Sequence, residues 1–279
     1  MIISFDSTVI FMTEGVLGVI ACPILEDELI YSMSKDDEIS NVYLLDNRHA
    51  KSIKPKLTRK RIEYKTIDEA SYLDGSLRTD DGGYTIVIWM MDLGLHEEPT
   101  DLKDAVRDCM LRMQERTDAL VLYYGLCGNG LKDIDKWAEA NLRIPMTIIR
   151  DRDGNIVDDC IAAAVGGTAQ YLKLLKKYPG IMYFTPAFAT NYDDLLGRME
   201  LFKGVDTGDD SMLRLVFEMA DYREVMKIDT GLGDPDEFHA ATKKFADRMN
   251  FDILTLEKGW TTLEPADRVY AEAKGLLRK

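Results

Sequence analysis

Apolar, β-branched and aromatic residues run together at 16–21, 85–90, 119–124, 145–149, 181–185, 225–228 and 251–256. Between these runs the apolar positions recur every three or four residues. The pattern is clearest at 102–113, where Leu102, Ala105, Val106, Cys109, Met110 and Met113 share one helical stripe and Cys109 reads as core. Short apolar strands alternating with amphipathic helices predict an α/β fold, a mostly parallel sheet covered by helices. Residues 35–81 break the rhythm, being charged and mixed, with Lys54-Pro55, Asp74-Gly75 and Asp80-Asp81-Gly82-Gly83 as punctuation. They read as an insertion or small subdomain. A second break, Lys203-Gly204-Val205-Asp206-Thr207-Gly208-Asp209-Asp210, sets the last two strands apart. It divides the chain into an α/β lobe at 1–202 and a C-terminal α/β part at 203–279, two similar lobes packed as one unit.

With 279 residues the chain can bury a large core without a disulfide or metal to hold it together, so stability alone does not explain its four cysteines. The formal charge of −14 is not offset by any basic stripe, which speaks against nucleic acid and anionic membranes as partners. The richest basic stretch, 52–61, reads as a solvated face or loop. No apolar run is long enough to span a bilayer, and Met1-Ile2-Ile3-Ser4-Phe5-Asp6 lacks the design of a signal peptide. The expected location is the cytoplasm, where cysteines are free thiols or metal ligands rather than a disulfide framework.

Three cysteines stand at strand-to-helix junctions. Cys22 follows an apolar run and precedes Pro23, a residue suited to the first helical position; that puts the thiol at a helix start, where partial positive charge favours a thiolate. It reads equally well as an ordinary buried cysteine. Cys127 lies in Tyr124-Gly125-Leu126-Cys127-Gly128-Asn129-Gly130, a glycine-rich loop directly after a strand, the position at which parallel sheets bind ligands. Cys160 follows Asp158-Asp159 and opens a further helix; one aspartate serves as its N-cap and the other is an oxygen ligand or orienting group. If these junctions converge, three soft ligands suit zinc or an iron–sulfur cluster, with a fourth position open. The cysteine spacings lack C-x-x-C pairs, so they select no particular metal. His96 is a further candidate ligand or acid–base group, and the turn at Asp229-Thr230-Gly231 can present backbone N–H groups. No P-loop, dinucleotide fingerprint, nucleophile elbow or H-E-x-x-H pair is present.

Several blocks in order resemble one family. They are Ala21-Cys22 with Glu28-Leu29, Gly94-Leu95-His96 with Pro99, Tyr124-Gly125-Leu126-Cys127-Gly128-Asn129, Asp159-Cys160, Tyr178-Pro179-Gly180 with Tyr183-Phe184-Thr185-Pro186, and Ile228-Asp229-Thr230-Gly231-Leu232-Gly233. The family is domain of unknown function 1638, found mainly in methanogenic archaea and anaerobic bacteria. The resemblance implies a part in corrinoid-dependent methyl transfer, with a corrinoid protein or methyltransferase as partner. Two positions depart from the family pattern: Asp158 stands where a histidine is usual, and Ala187-Phe188 where Gly-Trp is usual. The expected function is thus a metal-binding protein of anaerobic one-carbon metabolism holding zinc or an iron–sulfur cluster on Cys22, Cys127 and Cys160. The alternatives are a non-catalytic interaction module for the same partners and a metal-free thiol redox protein; whether turnover occurs is open.

Overall fold

The segments Gly15–Ala21 and Tyr84–Met90 are buried along almost their whole length, as strands covered on both faces must be. In the computed structural model, which describes residues 13–75, 82–96, 99–196 and 208–277, they lie side by side at the centre of a six-stranded parallel sheet. The first part of the chain runs β1 (Gly15–Ala21), α1 (Glu26–Ser34), β2 (Ile39–Leu45), α2 (Ile53–Arg59), β3 (Lys65–Ile67), α3 (Glu69–Asp74), β4 (Tyr84–Met90), α4 (Pro99–Met113), β5 (Ala119–Tyr123), α5 (Ile134–Asn141) and β6 (Met146–Ile148). The sheet order is β3-β2-β4-β1-β5-β6. Ala21 pairs with Met90 on one side and Tyr123 on the other, so the carboxyl ends of β4, β1 and β5 finish level.

Side-chain alternation along β1 sorts the helices. Leu17, Val19 and Ala21 face α1 and α2, whereas Val16 and Ile20 face the apolar stripes of α4 and α5. Cys109 is buried in that second layer, as the periodicity of 102–113 predicts.

The described part of the 35–81 stretch, residues 35–75, is not set apart from this sheet. Its β2 and β3 extend the sheet at one edge, with β2 paired to β4 and β3 to β2, all parallel. The stretch looks irregular because its strands are half-exposed: Ile39, Ser40 and Asn41 begin β2 outside the core, and Lys65 and Thr66 leave only Ile67 buried in β3. β3 is the edge strand and pairs only Tyr43–Leu45 of β2, so β3 and the first half of β2 form an open edge that takes polar residues, which dilute the apolar run.

The chain then continues through α6 (Cys160–Val165), α7 (Thr168–Lys177), β7 (Ile181–Phe184), α8 (Pro186–Leu196), α9 (Asp210–Met219), β8 (Glu224–Lys227), α10 (Pro235–Met249), β9 (Asp252–Thr255) and α11 (Glu264–Leu277). β7, β8 and β9 form a second parallel sheet in sequence order, with β7 pairing β8 across the expected boundary near residue 203. One face packs Phe184 and Met182 against aromatic residues of α8, α9 and α10; the other packs Ile181, Tyr183 and Ile228 against α6 and α7. α11 then crosses back, laying Val269, Tyr270, Ala273 and Leu277 on the α1 side of the first sheet. Residues 1–6, Asp80 and Asp81, the side chain of His96 and the break at 203–207 lie outside the described residues.

Candidate functional site

β1 is the strand at which the chain parts company with its neighbours. It leads to α1 on one face of the sheet, while β4 and β5 on either side of it lead to α4 and α5 on the other. Loops that diverge in this way open a crevice at the carboxyl edge, the usual ligand position in open α/β sheets. Cys22 follows β1 at that edge and packs in the same core region as Cys127, which comes from the loop after β5. The Cys22 N–H donates to Tyr123 O at 3.2 Å, which ties the first junction to the end of β5.

Cys160 is brought to the same edge by a backbone clasp. Leu126 N donates to Val157 O and Cys127 N to Asp158 O, each at 2.8 Å, so the loop after β5 lies against the residues just before α6. Gly125 makes this possible, since a Cβ there would sit 2.6 Å from Val157 O and 3.0 Å from the Asp158 carbonyl carbon. Residues 127 to 129 all take positive φ, at 46°, 66° and 67°, and Cys127 is the least common residue type to be held so. Cys160 packs where three core regions meet, and Cys22 and Cys127 join it in one of them.

The three thiols feel one another. Burial pushes Cys127 and Cys160 well above the usual thiol range, and Cys22 raises both further by charge repulsion; Cys127 acts on Cys160 in the same way. Cys22 is raised to about 12, mainly by burial, with smaller contributions from Glu26 and Glu28 against the lowering effect of a hydrogen bond from Ile24. This corrects the expectation of an activated thiolate. Cys22 does cap a helix start, but the helix is a three-residue 3-10 turn, Pro23–Leu25, and a thiol only 3% exposed loses more from desolvation than so short a dipole returns. Among the described residues, no group of three or more His, Cys, Asp or Glu side chains already stands at metal-holding spacing.

The other predicted residues separate into distinct roles. Asp159 is the N-cap of α6, accepting from Ala162 N at 2.8 Å, and burial raises its carboxyl to about 6. Asp158 contributes its backbone, its carbonyl to Cys127 and its N–H to Thr168 Oγ1 at 3.0 Å. His96 ends a short turn after β4, Leu93–His96. Gly128 and Asn129 form the tip of the Cys127 loop. Asp229 is exposed and accepts from Gly231 N at 2.9 Å, so the turn's own carboxylate takes that N–H, while the space beside Gly231 is open. Its neighbour Gly233 makes the close approach instead: a Cβ there would lie 2.9 Å from Pro186 Cβ and 3.2 Å from Asp27 Oδ2.

Asp27 belongs to a group the motifs do not reveal. Glu26, Asp27 and Glu28 open α1 and are all buried, at 0%, 5% and 6% exposure. Lys56 from α2 answers two of them, reaching Glu26 at 2.9 Å and Asp27 at 2.8 Å, and Ser52 donates to Glu26 at 2.7 Å. Glu28 is left to face Cys22 and Cys160. Burial, then Asp27, raises its carboxyl to about 8. Three acids in a first helical turn ordinarily read as solvated partners of the helix dipole, which conceals their burial. Lys56 carried no signal of its own, since it stands among Lys54, Arg59, Lys60 and Arg61 in the richest basic stretch of the chain.

In the comparisons with known proteins, no curated protein and no solved structure matches this chain. Residues 90–266 match the family described as Protein of unknown function (DUF1638), a span that takes in Cys127, Cys160 and the second sheet and begins at the last residue of β4. Because that match covers more than half of the chain, the protein belongs to the DUF1638 family.

Proposed function

We propose that Cys22, Cys127 and Cys160 hold a soft metal, zinc or an iron–sulfur cluster, in a protein that serves corrinoid-dependent methyl transfer. The observation that carries this reading is the meeting of three thiols from three separate junctions at one sheet edge, each within electrostatic reach of the others. The donor chemistry fits the group: sulfur ligands with no cation of their own are the set a positive ion stabilises, and Lys56 is already engaged by Glu26 and Asp27. Bound zinc would supply a polarising charge or an activated thiolate, and a cluster would supply electrons. Cys22 is buried and Cys127 and Cys160 are half-buried, and Glu28 is a buried acid beside Cys22 and Cys160 that can hold a proton at its carboxyl. The corrinoid setting rests on the family resemblance, with a methyltransferase or corrinoid protein as the partner.

The test is anaerobic purification followed by elemental analysis and a visible spectrum, for wild type and Cys127→Ser. Stoichiometric zinc, or iron with sulfide and a broad visible absorption, that is lost in the variant is the expected result. Absence of metal from the wild type overturns the reading. The same burial that raises the thiols works against a metal-free thiol redox protein. One observation favours the interaction module: α9 turns Met212, Leu215 and Met219 outward, at 41%, 48% and 80% exposure, on one stripe. A complex with a methyltransferase or corrinoid protein that survives substitution of all three cysteines would favour that module over the metal site.

A further inference from the structure

A cleft of about 300 Å³ opens beside the thiol site, between the carboxyl edge of the first sheet and α8 of the second lobe. Its floor includes Pro23, the residue after Cys22. That volume is at the lower end of the roughly 300–1,000 Å³ found for small-molecule pockets. The charges around it fall into two sets. Arg48, His49 and Asp92 are already committed to one another, with Arg48 at 2.8 Å and His49 at 3.6 Å from Asp92. Lys51, from the turn before α2, and Asp194, from α8, also line the cleft, and neither makes an ion pair or hydrogen bond with another described residue.

Lys51 of the first lobe and Asp194 of the second, unpaired among the described residues, thus line one small space with opposite charges. A simple anion would satisfy Lys51 and meet repulsion from Asp194; a simple cation would do the reverse. We propose that this cleft binds a small zwitterion of amino-acid size, its carboxylate toward Lys51 and its ammonium toward Asp194. Asn191, also in the wall, is buried and has its side-chain N–H donated to Ala187 O at 2.8 Å, which fixes the amide in place beside the ligand. The inference goes beyond the metal reading and stands whether or not the thiols hold metal.

The test is calorimetric titration of the intact protein with L-amino acids, with the matching deaminated acids, and with the matching amines. At least one amino acid is expected to bind in the millimolar range or tighter, with its deaminated acid and its amine each weaker by roughly tenfold or more. Lys51→Met and Asp194→Asn should each weaken the amino acid by a similar factor while leaving metal content at the wild-type level. That last readout separates failure here from failure of the metal site. Both side chains are exposed, so the variants should fold. No amino acid binding, equal binding of the deaminated acid, or binding unchanged in both variants overturns the proposal.

Discussion

At Cys127 burial pushes the thiol well above the usual thiol range, which works against a reactive nucleophile. In metal-free protein, alkylation at neutral pH should therefore be slow at all four cysteines. Mass spectrometry of partly labelled protein checks this, and rapid modification of Cys127 alone would restore the redox reading. Glu28 gives a second residue-scale expectation. Its carboxyl is raised to about 8 in the folded protein, above the ordinary value of 4.5, so the folded state holds a proton that the unfolded chain releases. Stability should then be highest below about pH 4.5 as far as this group is concerned, fall as pH rises towards 8 and level off above it. Glu28→Gln removes that slope. Urea titrations of both proteins at the two ends of the window measure it, and parallel pH dependence in the two would show that Glu28 does not titrate there.

Between elements, the same site depends on contacts with no tolerance for extra atoms or missing charges. Gly125→Ala would drive a methyl group into Val157 O, separating the loop after β5 from the approach to α6; a loss of about 1–3 kcal/mol is expected, together with loss of any metal held by Cys127 and Cys160. Lys56→Gln strands two buried carboxylates on α1, which should cost about 3–5 kcal/mol at neutral pH and less in acid, where they take up protons. Denaturant unfolding measures both.

The seven apolar runs all lie in strands, the central ones because both faces are covered, and Cys22 and Cys127 could be placed after their ends from that alone. β3 and the first half of β2, which β3 does not pair, were hidden because an unpaired edge mixes polar residues into its run. The acids of α1 were hidden for a different reason. Their burial depends on a lysine from another helix and a glycine from another sheet, and no local pattern records such partners.

For the whole molecule, the two sheets are linked by more than their connecting segments. Phe188 packs into the cores of both, Arg59 of α2 reaches Glu237 of α10 at 3.2 Å, and α11 returns to the first sheet. The lobes should consequently unfold together. Variants retaining only Trp89, in the first sheet, or only Trp260, beside the second, are expected to give one urea midpoint by fluorescence. Two separated midpoints would mean that each lobe is an independent cooperative unit. No helix among the described residues is long and apolar enough to cross a membrane.

The return of α11 also has a consequence for biosynthesis. The face of the first sheet that it covers is built from strands translated before the second sheet, yet the covering helix is translated only after that sheet. Until it emerges, Tyr84, Ala119 and Val121 have an incomplete lid, and the first lobe cannot finish folding before the second sheet has been made. The nascent chain must carry that apolar face through the synthesis of the entire second sheet, which makes it a natural client for a chaperone that shields hydrophobic surface.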